Sequence, residues 1–201
     1  MSKNDGFLSI FKLGLILSLY AAISCAVLAL VNNVTAPKIE ANQKEKIDSS
    51  MKEFFPSQGL TFESISDYPA SSDTSIKIES VILAKKDGKI TGGAAQVSGP
   101  TYDRGTIFVG LNADGSVAGL KFLKLSDSPG FGLKANDPTF KLASGKTFAQ
   151  QFEGKNAAEG FITNKTFDAI SGATITSNGI ANLLTEGSNS LLKIFKENAD
   201  E

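Results

Sequence analysis

Hydrophobic and polar positions recur along this chain with three different periods, and each predicts a different element. From Leu13 to Val31 (LGLILSLYAAISCAVLALV) no charge interrupts the apolar run, with Lys12 before it and Asn32, Asn33 and Lys38 after it. At a rise of about 1.5 Å per residue this run nearly spans a hydrocarbon core of roughly 30 Å. It predicts a membrane helix, 13–31, behind a short arm, 1–12. A cleaved signal peptide competes, because Val34-Thr35-Ala36 resembles a small-residue cleavage site, but signal cores usually run to about 7–15 residues. Cys25 reads as a side chain of the membrane helix, since apolar residues follow it where a lipidated mature end would turn polar.

Between Lys38 and Phe55 the period changes. Ile47, Met51 and Phe54 recur at helical spacing among lysines and acids, which predicts an amphipathic helix ending before Pro56. Pro56 to Ser75 is rich in Ser and Asp and predicts a loop, so 32–75 reads as a helix and a polar connection. Beyond it, Asp87-Gly88 and Asp114-Gly115 each sit between β-branched and aromatic runs, a strong hairpin signal. Four or more antiparallel strands follow. Helical character returns at Thr147–Phe152 and from about Thr176 to Glu197, where Ile180, Leu183, Leu184, Leu191 and Phe195 share a face and Gly187 is a soft spot. A sheet followed by packed helices gives an α+β domain over 76–197.

Composition narrows the chemistry. The 201 residues carry 20 Lys+Arg against 21 Asp+Glu, with no surplus of positive charge to neutralise a phosphate backbone, so nucleic acid is not an expected partner. There is no histidine and only one cysteine, which removes the usual general base, the Cys/His dyad, the common zinc sites and an internal disulfide. No catalytic side chain and no metal site is expected, so redox chemistry would have to come from a bound cofactor. Lysine counts do not orient the membrane helix, because Lys3 and Lys12 precede it and Lys38, Lys44 and Lys46 follow. A long domain translocates largely regardless of charge, which permits residues 32–201 to lie outside the cytoplasm.

Two segments carry candidate chemistry. Asp168-Ala-Ile-Ser171-Gly172-Ala173-Thr174-Ile-Thr176-Ser177 leads into the last helix, where unpaired backbone N–H groups and the helix dipole favour an anion such as phosphate. An ordinary N-cap from Thr174, Thr176 or Ser177 is the plainer alternative. Asp127-Ser128-Pro129-Gly130-Phe131-Gly132-Leu133-Lys134 is by itself a turn signal.

The spacing Asp168-x-x-Ser171-Gly172-Ala173-Thr174 resembles, position for position, the flavinylation motif of the FMN-binding domain family. That family includes the G subunit of the Rnf complex and the C subunit of sodium-pumping NADH:quinone reductase. The resemblance implies one covalent FMN per chain, joined to Thr174 by a phosphoester. Asp168 would belong to the signal read by a flavin transferase, and Ser171, Gly172 and Ala173 would shape the loop at the phosphate. The 127–134 run resembles the family's Glu-Thr-Pro-Gly-Leu-Gly loop near the flavin ring, with Asp127, Ser128 and Phe131 as departures. Pro129 would hold that loop while Gly130 and Gly132 admit the ring. Gly99-Pro100-Thr101-Tyr102 and Ile107–Gly110 resemble the family's sheet. The implied role is an electron-relay subunit, without a complete active site of its own, in an ion-translocating ferredoxin:NAD oxidoreductase of the Rnf type. Its expected partners are the other subunits and the transferase, and its expected place is the inner (cytoplasmic) membrane, crossed once, with the soluble domain outside. The quinone-reductase C subunit and a non-enzymatic membrane-anchored assembly or binding protein are the competing expectations.

Overall fold

A computed structural model describes residues 3–199. Its elements are α1 (Lys3–Phe54), β1 (Thr61–Ile65), β2 (Lys77–Lys86), β3 (Lys89–Pro100), β4 (Arg104–Asn112), β5 (Val117–Leu125) and α2 (Thr174–Ala199). One helix thus runs through the arm, the apolar segment and the amphipathic segment, passing Pro37 without a break; Met1 and Ser2 of the arm lie outside the described residues. The chain divides into two compact units, residues 1–45 and 46–201.

In the first unit, α1 is long and apolar enough to cross a membrane, with mean hydropathy 2.4 in its most apolar window. Its large side chains, including Leu17, Tyr20, Leu28 and Val34, are exposed. No protein core therefore accounts for their hydrophobicity.

The second unit is built on a five-stranded antiparallel meander, ordered β1-β2-β3-β4-β5. Asp87 and Gly88 both adopt positive φ, 50° and 79°, as a two-residue hairpin with the right-handed twist of its strands requires. Both faces of the sheet are covered. In β4, Ile107, Val109 and Leu111 face the cluster shared with α2, while Phe108 faces a second cluster containing Met51, Phe54 and Phe55. Burial on both sides explains why this strand reads as a continuous apolar run instead of an alternation. The Phe54 ring seats where the sheet has no side chains: a Cβ at Gly110 or Gly119 would come within 2.5 or 2.3 Å of it.

Three details depart from the sequence expectations. Thr61–Ile65, within the stretch expected to be loop, is an edge strand paired with β2 from Thr61↔Lys85 to Ile65↔Val81; Ser/Asp-rich flanks obscure its alternation. Thr147–Phe152 is a turn and not a helix. Thr147 and Gln150 exchange capping bonds at 3.1 and 3.2 Å, but Phe148 and Phe152 are both drawn into the core against Phe167, which ends the coil after one turn. Gly187, expected as a soft spot, is a point of close approach between α2 and the sheet. A Cβ there would lie 2.7 Å from Val97 and 2.9 Å from Val109.

Candidate functional site

Helix α2 starts at Thr174, two residues before the start its apolar spacing predicts, and the chemistry of its first turn follows from how that start is made. The carbonyl of Ala173 accepts the first helical bond, from the Ser177 N–H at 3.0 Å, and the Ala173 N–H donates to Ile170 O at 2.9 Å. Ser177 is fully buried; its hydroxyl donates to Ala173 O at 2.9 Å and accepts from the Ile170 N–H at 3.0 Å. The motif loop is thereby knotted to the helix from below. Among the described residues, no side-chain hydroxyl of Thr174, Thr176 or Ser177 accepts from an N–H of the helix's first turn; that of Ser177 is engaged by Ile170 and Ala173. Among the described residues the N–H groups of Thr174, Ile175 and Thr176 have no acceptor. These are the donors a helix start presents to an anion, backed by roughly half a positive charge from the dipole.

Those donors border a cavity of about 450 Å³ lined by Tyr102, Ser128, Phe131, Gly132 and Gly172–Thr176, within the size range of small-molecule sites. Of the nine expected site residues, Ser128, Gly132, Gly172, Ala173 and Thr174 line it. Pro129 and Gly130 shape the turn behind it, with Gly130 at φ 76° and Ser128 O accepting from the N–H groups of Phe131 and Leu133. Ser171 is exposed beside the cavity. Asp168 is exposed too, and its backbone is held by Gln151, which donates to Asp168 O and accepts from its N–H at 3.2 and 2.8 Å. Thr174 is exposed, so its hydroxyl is open to chemistry from outside.

Pattern reading missed the side chains that complete the walls. Tyr102, Phe131 and Ile175 are 65%, 57% and 61% exposed and all line the cavity. Outside α1 few large apolar side chains are as exposed, so their clustering marks a binding surface. Tyr102 and Phe131 stood in segments singled out by the family resemblance without being named as site residues, and Ile175 had no signal beyond its place between Thr174 and Thr176. Gly132 also behaves differently from expectation. A Cβ on it would lie 2.5 Å from Thr176 Oγ1 and 2.7 Å from Asp127 Cβ, so its missing side chain is required by the protein's own packing.

Asp127 is the buried anion behind this packing. Burial opposes its charge, but the hydroxyls of Thr101 and Thr176 and the N–H groups of Asp103 and Tyr102 outweigh that and hold its pKa below the ordinary carboxylate value. A second concavity, about 390 Å³, runs along β5 beside the Lys121–Glu53 ion pair, and none of the expected site residues reaches it.

Residues 102–188 match the family model of the FMN-binding domain, and residues 1–53 match that of the RnfG N-terminal region. The chain is 29% identical to the G subunit of the Na(+)-translocating ferredoxin:NAD(+) oxidoreductase complex of Acetobacterium woodii, over 93% of this chain and 92% of that protein. It is 25% identical to the G subunit of the ion-translocating oxidoreductase complex of Cereibacter sphaeroides, covering 87% and 80%. With the protein of that same name from Erwinia tasmaniensis it shares 29% identity, covering 87% and 86%.

Proposed function

We infer that this chain, which belongs to the FMN-binding domain family, is a membrane-anchored electron-relay subunit of an Rnf-type ion-translocating oxidoreductase, with FMN esterified to Thr174. The observation that carries this is the convergence of the 128–132 turn and the 172–176 segment on one cavity, at a helix start with three free N–H donors and an exposed threonine hydroxyl. FMN fits that donor set: a phosphate suits the bare N–H groups, and a flat aromatic ring suits walls of Tyr102, Phe131 and Ile175. When bound, the flavin supplies one- and two-electron transfer.

The chain's own residues position and shield. The α2 dipole and first-turn N–H groups hold negative charge, the apolar walls exclude water, and the knot at Ser177 keeps the Thr174 backbone fixed. Asp168 and Ser171, on the exposed side of the motif, are open to a flavin transferase. The relatives' names favour the Rnf complex over the quinone-reductase C subunit, and they imply the other Rnf subunits as partners. In this reading residues 13–31 cross the inner membrane and the FMN-binding domain, 76–197, lies outside the cytoplasm. Labelling of single cysteines in the domain of intact cells with an impermeant reagent checks that side, and protection of every site refutes it.

Covalent attachment is tested at Thr174. Wild-type protein made with a flavin transferase should fluoresce under ultraviolet light after denaturing electrophoresis, and its mass should exceed the polypeptide by one FMN less one water. Thr174→Val removes the nucleophilic oxygen and should abolish both signals, whereas Thr174→Ser retains a hydroxyl at the same position and should keep them. A wild-type protein with neither signal in the presence of active transferase refutes the assignment.

A further inference from the structure

Three segments of the second unit meet at one carboxylate. Asp127 follows β5 and is only 4% exposed. It accepts from Thr101 Oγ1 at 2.6 Å, from the Asp103 N–H at 3.0 Å and from the Tyr102 N–H at 3.3 Å. From the other side it is crowded by the Gly132 backbone and the Thr176 hydroxyl. Its neighbours Tyr102, Gly132 and Thr176 each line the cavity, one on the β3–β4 turn, one on the glycine loop and one on α2. Asp127 itself does not line it. It sits one layer behind all three walls.

The carboxylate also lacks a counter-ion. Among the described residues the ion pairs are Lys85–Glu63 and Lys121–Glu53, and neither involves Asp127. Neutral donors satisfy its lone pairs but leave its net charge uncancelled. In a partly desolvated setting that charge acts over several ångströms. Whatever accepts an electron in the cavity gains negative charge next to a fixed negative charge.

We propose that Asp127 is a positioning residue with an electrostatic role: it ties together the three walls of the cavity, and its charge biases the bound flavin toward the oxidised form. The second half rests on the proposed function, since it needs flavin in the cavity; the first does not.

The test uses the full-length chain in detergent, made with a flavin transferase, as wild type, Asp127→Asn, Asp127→Glu and Thr101→Val. Intact mass reports the flavin, amide hydrogen exchange reports the wall at Tyr102 and Asp103, and spectroelectrochemistry reports the midpoint potential. Asp127→Asn leaves fewer lone pairs for the same donors, so exchange at Tyr102 and Asp103 should accelerate at least tenfold and the potential should move to more positive values. Asp127→Glu and Thr101→Val keep the charge and should leave the potential near the wild-type value while the wall loosens. Wild-type exchange rates in Asp127→Asn overturn the anchoring. A potential unchanged in Asp127→Asn, or displaced equally in the charge-keeping variants, overturns the electrostatic role. If Asp127→Asn does not fold, a displaced potential in Thr101→Val and Asp127→Glu overturns that role alone, and wild-type exchange in both overturns the anchoring. Absence of flavin mass from the wild type refutes the proposed function instead, and exchange then still decides whether Asp127 anchors the walls.

Discussion

Gly130 and Gly132 stand two residues apart, and different physics holds each. Gly130 has φ 76° with nothing within 4 Å of the place a Cβ would occupy, whereas Gly132 has ordinary φ but would drive a methyl into Thr176 and Asp127. An alanine at 130 should therefore destabilise by about 1–2 kcal/mol through backbone strain alone. At 132 overpacking should cost about 1–3 kcal/mol and should also displace Asp127 and Thr176. Thermal denaturation measures both losses. The two separate in the absorbance of bound flavin, which should move in Gly132→Ala and stay in Gly130→Ala; the opposite pattern would show that the turn at Gly130 governs the cavity. Thr174, which lines the cavity, was legible as a candidate from its motif because the pattern names a hydroxyl at a fixed spacing. Asp127 was not, because its value lies in donors 24–26 residues earlier in the chain and in Thr176 on another element.

Helix α2 is held by packing on one side and by a polar clasp on the other. Ile180, Leu183, Leu184 and Leu191 are fully buried, as their spacing predicts, and Gly187 lets the helix lie close to β3 and β4. Glu186 clasps the loop between β1 and β2, accepting from Ser71 Oγ and the Ser72 N–H, both at 2.7 Å, and from Ser72 Oγ at 2.8 Å. Burial opposes the Glu186 charge, but these serine donors outweigh it and hold its pKa below the ordinary value. Because the folded pKa is the depressed one, the stabilisation is present above the unfolded value of roughly 4.3 and fades as pH falls through the folded value. Glu186→Gln should thus cost on the order of 1 kcal/mol at neutral pH, and its difference from wild type in urea unfolding should shrink below about pH 4. A constant difference across that range would assign the loss to packing. The turn at 147–152 carries the complementary lesson: a capping pair starts a coil, and two core-seeking phenylalanines decide how far it goes.

At the scale of the molecule, the C-terminal end of α1 belongs to the fold that carries the site. Met51, Phe54 and Phe55 cover the face of the sheet opposite α2, and Lys121 pairs with Glu53 at 2.8 Å. A truncated chain of residues 46–201 should therefore stay soluble and monomeric without detergent, and it retains every residue that lines the cavity. Removing ten more residues, to give 56–201, uncovers Phe108, Ala94 and Leu123, forfeits two buried phenylalanines worth about 1.5–3 kcal/mol each, and should aggregate. Size-exclusion chromatography distinguishes them, and equal behaviour of the two would show that the second cluster adds nothing to stability. Full-length protein should stay with membranes after a carbonate wash.

The primary structure by itself determined what depends on local pattern: the apolar helix, the hairpins at Asp87-Gly88 and Asp114-Gly115, the buried face of α2 and the motif ending at Thr174. These are governed by period, turn chemistry and spacing, all of which are written within a few residues. Tertiary structure alone decided which loops meet. The Ser128–Gly132 turn lies over forty positions before Thr174, and only the docking of α2 on the sheet brings both to one cavity. It likewise assigned Tyr102, Phe131 and Ile175 to the walls, turned Thr61–Ile65 into an edge strand and made Gly187 a contact instead of a weakness. In each case the deciding interaction is a close approach between segments far apart in the chain, and no local period records it.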